Sequence, residues 1–357
     1  MSMKKILRIL IVLTLFICSP SALADDTYSV APTFSPYSAG VVKSEVLNEA
    51  LKELNFIRKL AGVPNNVTLN ADYTNKAQHG AVLLDANNVL THQPSKPSDM
   101  SQSFYDLGYE ATTHGNIFSG RTYSLRYSVK SYMDDNDRSN MTTVGHRRWL
   151  LNPRLKQTGF GISTQRGYSV TYVIEEAPED YDEYTQWIQT WPINGDYIPW
   201  PVKGEHPINY FGANVPWSVT LRTSAFKDYA DSDIVVKLTR SSDGQTWTFR
   251  TTQSDGYFNI SHTTYGRDEC IIFRPDNVSE YRNGERWQVE ITGLIKQDTN
   301  ESATISYTTT FGPAVNDYDD EEHVEIIKTE TGLGGCNSGL NVFALLVCTA
   351  LLHKKKV

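Results

Sequence analysis

The densest chemistry in the chain lies at Gly145-His146-Arg147-Arg148-Trp149, where an imidazole, two guanidinium groups and an indole occupy four consecutive positions. An imidazole titrates near neutrality, so His146 can move a proton or ligate a metal. An acidic run, Asp134-Asp135-Asn136-Asp137, precedes it. That run lacks the glycine and closing glutamate of an EF-hand and reads as a solvated helix end. The sequence contains no Gly-x-Ser-x-Gly and no His-Glu-x-x-His, so it offers no nucleophile elbow and no zincin helix.

The elements that must hold His146 can be read on either side of it. Pro153 disfavours helix at Asn152, so a short helix or turn carrying His146 should end there. The following Thr158-Gly159-Phe160-Gly161-Ile162-Ser163 reads as a strand whose glycines let another element approach its backbone. Tyr168–Ile174 alternates and is β-branched, which predicts an antiparallel partner joined through Gln165-Arg166-Gly167. Upstream the period is helical. Leu47, Leu51, Leu54, Ile57 and Leu60 recur at three- and four-residue spacing until Gly62 and Pro64, with Ser44 as a possible cap. A second helix is predicted over Ala71–Asn87, with small Ala77 and Ala81 on its packing face, and a third over Leu125–Met133.

Helices followed by strands suit a three-layer α-β-α sandwich over 43–175. Residues 176–212 read as a connector rich in Trp and Pro, whose aromatics pack an interdomain seam or, less simply, stack on sugar. Strands at regular spacing between turn signals then fill 213–312, a β-sandwich of immunoglobulin-like size with no cluster of catalytic spacing. The fold class is therefore α+β.

The run Gly145–Ser163 resembles the second signature of the CAP superfamily, the SCP-like extracellular domain in its bacterial form. There a Gly-His-x-Arg segment precedes an Asn-Pro and a Gly-x-Gly strand. Asn55 and Arg58 in the first helix, and Leu69 through Ala81 in the second, fit the opening of such domains. The resemblance implies a His/Glu/Glu/His cluster. His92 and His146 match its histidines, and Asp135 stands in for one glutamate, three residues after Tyr132. Gly115 in Gly115-Asn116-Ile117 occupies the position of the other glutamate, and His114 is the nearest group to fill the gap. His92, Asp135 and His146 are thus the candidate catalytic set. His92 and His146 are also the candidate ligands of a Zn2+ ion with an open position for water. His79 and His262 match nothing and read as structural.

Net charge is −8, and six basic residues at the two ends (Lys4, Lys5, Arg8 and Lys354–Lys356) hide a more acidic body with 27 basic against 41 acidic groups. That argues against nucleic acid or an anionic membrane surface as partner. Of the four cysteines only Cys270 lies within the body, so no disulfide framework is available. Met1–Ala24 reads as a secretory signal peptide, with Ala22-Leu23-Ala24 as its cleavage site. Residues 25–42 read as a linker and 313–331 as an acidic stalk. Residues 332–357, with Gly334-Gly335-Cys336, an apolar run and three lysines, resemble a Gly-Gly or Gly-Gly-Cys type of C-terminal sorting signal. These features predict a secreted, surface-displayed protein whose cleft binds an extracellular protein, lipid or glycan, and which meets the membrane only through its tail. The alternative is a metal-assisted extracellular hydrolase acting on peptide or cell-wall material.

Overall fold

The computed structural model describes residues 26–120, 124–174, 195–263, 265–267, 269–319 and 323–326. The predicted leader 1–24, the acidic stretch 175–184 with Trp187 and Trp191, and the predicted tail 332–357 lie outside these residues. Among the described residues no helix is long and apolar enough to cross a membrane.

The described residues up to Gly312 belong to one compact unit. It opens with two small ribbons where a linker was expected. Strand β1 (Tyr28–Val30) pairs with β4 (Val41–Val42), and β2 (Thr33–Phe34) pairs with β3 (Tyr37–Ser38). Distant contacts hold them. The Tyr28 hydroxyl donates to Ile162 O at 2.8 Å, Gln78 Nε2 donates to Ala39 O at 2.8 Å, and Tyr37 packs on Phe104.

Helix α1 (Ser44–Leu60) follows the predicted spacing, but Lys43 occupies the cap position and Ser44 is its first helical residue. Strand β5 is Thr68–Leu69, and helix α2 spans Ala71–Asn87. The Asn70 side chain caps α2 by accepting from the backbone of Asp72 and Tyr73. Helix α3 (Gln102–Thr113) was not predicted. Then come β6 (Gly115–Ser119), α4 (Leu125–Ser131), α5 (Gly145–Leu150), β7 (Gln157–Ser163) and β8 (Tyr168–Tyr172).

The sheet order is β5-β7-β8-β6, with β5 parallel to β7 and the other pairs antiparallel. One face carries α2 and α3. A Cβ at Gly159 would lie 2.2 Å from Thr74 N, and one at Gly161 2.2 Å from Ala77 C, so the glycine edge of β7 lies directly on the helix backbone. Ala77, Ala81, Ile117, Val170 and Tyr172 fill the same layer. Side chains alternate along a strand, so Asn116 and Phe118 face the opposite layer. There Tyr132, just past α4, meets both. Helix α1 is tied to α4 by the Glu53–Arg126 pair at 2.9 Å. The result is the predicted α-β-α arrangement.

The β-rich part that follows begins earlier than the predicted sandwich boundary, inside the expected connector. One sheet has the order β10 (Gly204–Pro207), β17 (Ser302–Gly312), β16 (Arg286–Ile295), β12 (Val235–Arg240) and β13 (Thr246–Phe249). The other runs β14 (Gly256–Ser261), β15 (Cys270–Pro275), β11 (Trp217–Leu221) and β9 (Tyr197–Trp200). Rings from both sheets meet in the core: Trp217 against Trp287 and Phe311, Phe249 against Phe273, and Trp200 against the buried His206. Trp200 is therefore core rather than seam. A second unit, where a stalk was expected, contains an antiparallel hairpin of β18 (Val315–Asp319) and β19 (His323–Ile326).

Candidate functional site

Successive residues of a helix point about 100° apart, and α5 uses this to serve two masters. Arg147 and Arg148 are buried and reach into the β-rich part. Arg147 donates to Met133 O (2.9 Å), Asp134 O (3.1 Å), Pro216 O (2.8 Å) and Ser218 Oγ (2.8 Å). Burial pulls its guanidinium down to about 10, against the pull of the Asp135 charge, so it stays cationic at neutral pH. Arg148 donates to Thr143 O, Ser261 Oγ, Thr263 Oγ1 and Thr263 O. Beneath α5, the buried Arg58 of α1 holds the chain reversal after the helix, donating to Leu150 O at 2.6 Å and Asn152 O at 2.9 Å.

His146 points the other way. Its Nδ1 donates to Asp135 Oδ1 at 2.8 Å, while Asp135 Oδ2 accepts from the backbone N of Arg147 at 3.0 Å. The carboxylate is buried, with one bond at each oxygen. Burial alone would lower the imidazole pKa. The Asp135 charge and hydrogen bond, helped by Asp137, outweigh it, and the net displacement is upward. Asn116 Nδ2 donates to His146 O at 3.0 Å and the Tyr132 ring lies 5.2 Å from the imidazole. Asp135 (φ 40°) and Val144 (φ 42°) both sit in the left-handed region. Such backbone costs about 1–3 kcal/mol per residue and persists only where the surroundings impose it. Here Val144 is locked against Cys270 and Ile272, and Asp135 by its two bonds.

Beside this pair lies a cleft of about 350 Å³ bordered by Leu90, Phe118, Tyr127, Tyr132, Asp135 and His146. The acidic run edges it. Asp137 accepts from Ser139 and Asn140 in a tight turn, which holds its carboxyl below the usual range despite burial. Asp134 is pushed up by burial, against Arg147 and Lys130.

The other predicted site residues are placed differently. His92 is exposed and donates through Nδ1 to Thr112 O at 2.6 Å, and Thr112 Oγ1 returns a bond to His92 O. His114 closes α3, with Nδ1 beside Glu110 O and its ring stacked on Tyr172. Neither borders the cleft. Gly115 has no room for a side chain, since a Cβ would stand 2.6 Å from Ala111 O and 2.9 Å from Val170 Cγ1. His79 packs on Phe104 with Nδ1 against Asn75 O. His262 bridges Asp231 and Glu269, each at 2.8 Å, far along the chain from α5. Among the described residues no three His, Cys, Asp or Glu groups converge so as to hold a metal.

Three further residues contribute that were not among the predicted site residues. Tyr132 and Asn116 shape the His146 wall, and only their places in the family pattern drew notice. Glu53, buried on α1, accepts from Arg126 and from the Tyr210 hydroxyl at 2.8 Å. Nothing in the α1 periodicity separates it from a surface glutamate.

No curated protein and no solved structure matches the chain. The body's one described free cysteine, Cys270, is buried in the β-rich part. The α-β-α core, the Gly-rich strand under α2 and the His146 cleft fall within a stretch that a family model does match: residues 51–176 fit CAP, the cysteine-rich secretory protein family, which supports a CAP domain in this part of the chain.

Proposed function

We propose that this is a secreted, surface-displayed protein that binds an extracellular ligand through the cleft beside His146, with the β-rich part as spacer or second contact surface. One observation carries the reading. The groups that a hydrolase would need together are held apart. Asp135 is bonded to His146 and Arg147, while His92 is held at Thr112 O and His114 at Glu110 O, and neither of these histidines borders the cleft. What remains for a ligand is His146 Nε2 within a wall of aromatic side chains, an arrangement for recognition.

The metal-assisted hydrolase is the second reading, because an imidazole oriented by a carboxylate is also how a general base is prepared. On that reading Asp135 orients His146, and His92 must swing to share a zinc ion with it. The test joins a zinc titration by calorimetry to a panel of peptide, ester and peptidoglycan substrates with zinc supplied, on the wild type and His146→Ala. Binding without turnover is expected, with no stoichiometric zinc uptake. Zinc-dependent turnover abolished by His146→Ala would end the binding reading.

A further inference from the structure

A second pocket of about 340 Å³ lies between α4 and the 209–215 segment of the β-rich part. It shares Tyr127, Ser131, Asp134 and Asn136 with the His146 cleft, so the two form one groove that runs from α5 across α4. Two side chains in the second pocket are partly buried and opposite in charge. Lys130 lies over the Tyr210 ring at 4.3 Å and feels the charges of Glu53 and Asp134, while Asp134 feels those of Arg147 and Lys130, so the two meet through their fields rather than through a hydrogen bond. Partly buried charges that balance one another but keep hydrogen-bonding capacity open favour a ligand that bonds to both.

That condition selects the ligand. An anion suited to Lys130 meets Asp134, and a cation suited to Asp134 meets Lys130. An acyl chain satisfies neither. A hydroxyl donates to one and accepts from the other. The flanking amides of Asn136 and Asn214 likewise donate and accept. Where the two compartments join stands Tyr127, 51% exposed, its ring steadied by the edge of Phe118 at 6.0 Å. A half-exposed aromatic face beside mixed polar groups suits the flat C–H face of a pyranose. We propose that the groove binds an uncharged oligosaccharide across both parts of the first unit, with sugar rings on Tyr127 and hydroxyls shared between Lys130 and Asp134. This rests on the ligand-binding reading of the cleft and names its ligand class.

The full chain is titrated by calorimetry with three uncharged tetrasaccharides, β-1,4-linked glucose, α-1,4-linked glucose and β-1,4-linked N-acetylglucosamine, and with end-blocked tetraalanine. Saturable binding of at least one sugar is expected. Tyr127→Ala and Asn214→Ala should each weaken it about tenfold or more, with the unfolding midpoint unchanged for the exposed Asn214 and only slightly lowered for Tyr127, which loses its Phe118 contact. Binding untouched by Asn214→Ala would overturn the bipartite groove. Failure of all three sugars, or tetraalanine bound in their place, would overturn the ligand class. Those failures end this inference alone, whereas zinc-dependent turnover in the earlier assay ends the reading beneath it.

Discussion

Replacing Arg147 by Met removes the guanidinium and keeps most of the volume. Four hydrogen bonds at 2.8–3.1 Å disappear, two of them to acceptors in the β-rich part, Pro216 O and Ser218 Oγ. Bonds to a charged group contribute about 1.5–3 kcal/mol each, so the gross loss is about 6–12 kcal/mol. Removing a buried cation returns several kcal/mol of desolvation, which leaves about 3–5 kcal/mol of net destabilisation. With a urea dependence near 3 kcal/mol per M, the midpoint should fall by about 1–1.7 M. Four of the seven tryptophans, Trp200, Trp217, Trp247 and Trp287, are buried in the β-rich core, so tryptophan fluorescence, read in a Trp149→Phe background, is weighted toward that part while far-UV circular dichroism is weighted toward the helices. Both signals should move together. A cycle with Ser218→Ala should give a coupling of about 1–2 kcal/mol. A midpoint drop below about 0.3 M, or a fluorescence transition that stays in place while the helical signal moves, would refute the idea that Arg147 clamps the two parts.

Other outcomes follow from the same geometry. Gly161→Ala places a Cβ 2.2 Å from the Ala77 backbone, which demands a helix shift of about 1 Å and should cost 3 kcal/mol or more; Gly212→Ala, whose Cβ meets nothing closer than 3.8 Å, should stay within about 0.5 kcal/mol in the same urea assay. Burial holds His206 down to about 3, so between about pH 6.5 and 3 the unfolded chain takes up a proton that the folded chain refuses. Stability should fall by about 1.4 kcal/mol per unit as pH drops through that window, and His206→Leu should remove that slope from the acid limb of a denaturation series. For His146 the sign is opposite. Its raised value makes the Asp135 bond a source of stability below about pH 6.5 that is lost as pH rises through the folded value. Asp135→Asn should bring the imidazole titration, followed by NMR, down; an unmoved curve would remove Asp135 as its cause.

Where local pattern and tertiary packing agree, the chain could be read directly. Helix α2 declares itself through its apolar period and its alanines, and the β7–β8 hairpin through alternation and the Gln165-Arg166-Gly167 turn. Helix α3 did not, because Gly108 sits within it where helix propensity argues against glycine. The reason is packing: a Cβ there would press His79 O at 3.0 Å, so α2 and α3 cross at their glycines. Residues 28–42 read as a linker because their bonds go to Ile162, Gln78 and Phe104, partners no local window contains. At the site, the match to the family pattern found His146 and Asp135, and the structure joins them. It could not reveal that His92 and His114 turn toward carbonyls of α3, nor that the two arginines after His146 belong to the contact with the β-rich part.

The two glycines of β7 also decide which pairing of the hairpin can be covered. Slipping β7 by one residue exchanges the strand's faces, presenting Phe160 and Ile162 to α2 where not even a methyl group fits. An out-of-register hairpin would then have no helix to cover it, and strands that are almost wholly buried in the native fold would stay open to water. The glycine edge thus acts as a proofreading surface: α2 can settle only on the correctly aligned pair, so the alignment that closes the core is the same one that carries the chain from His146 into the sheet.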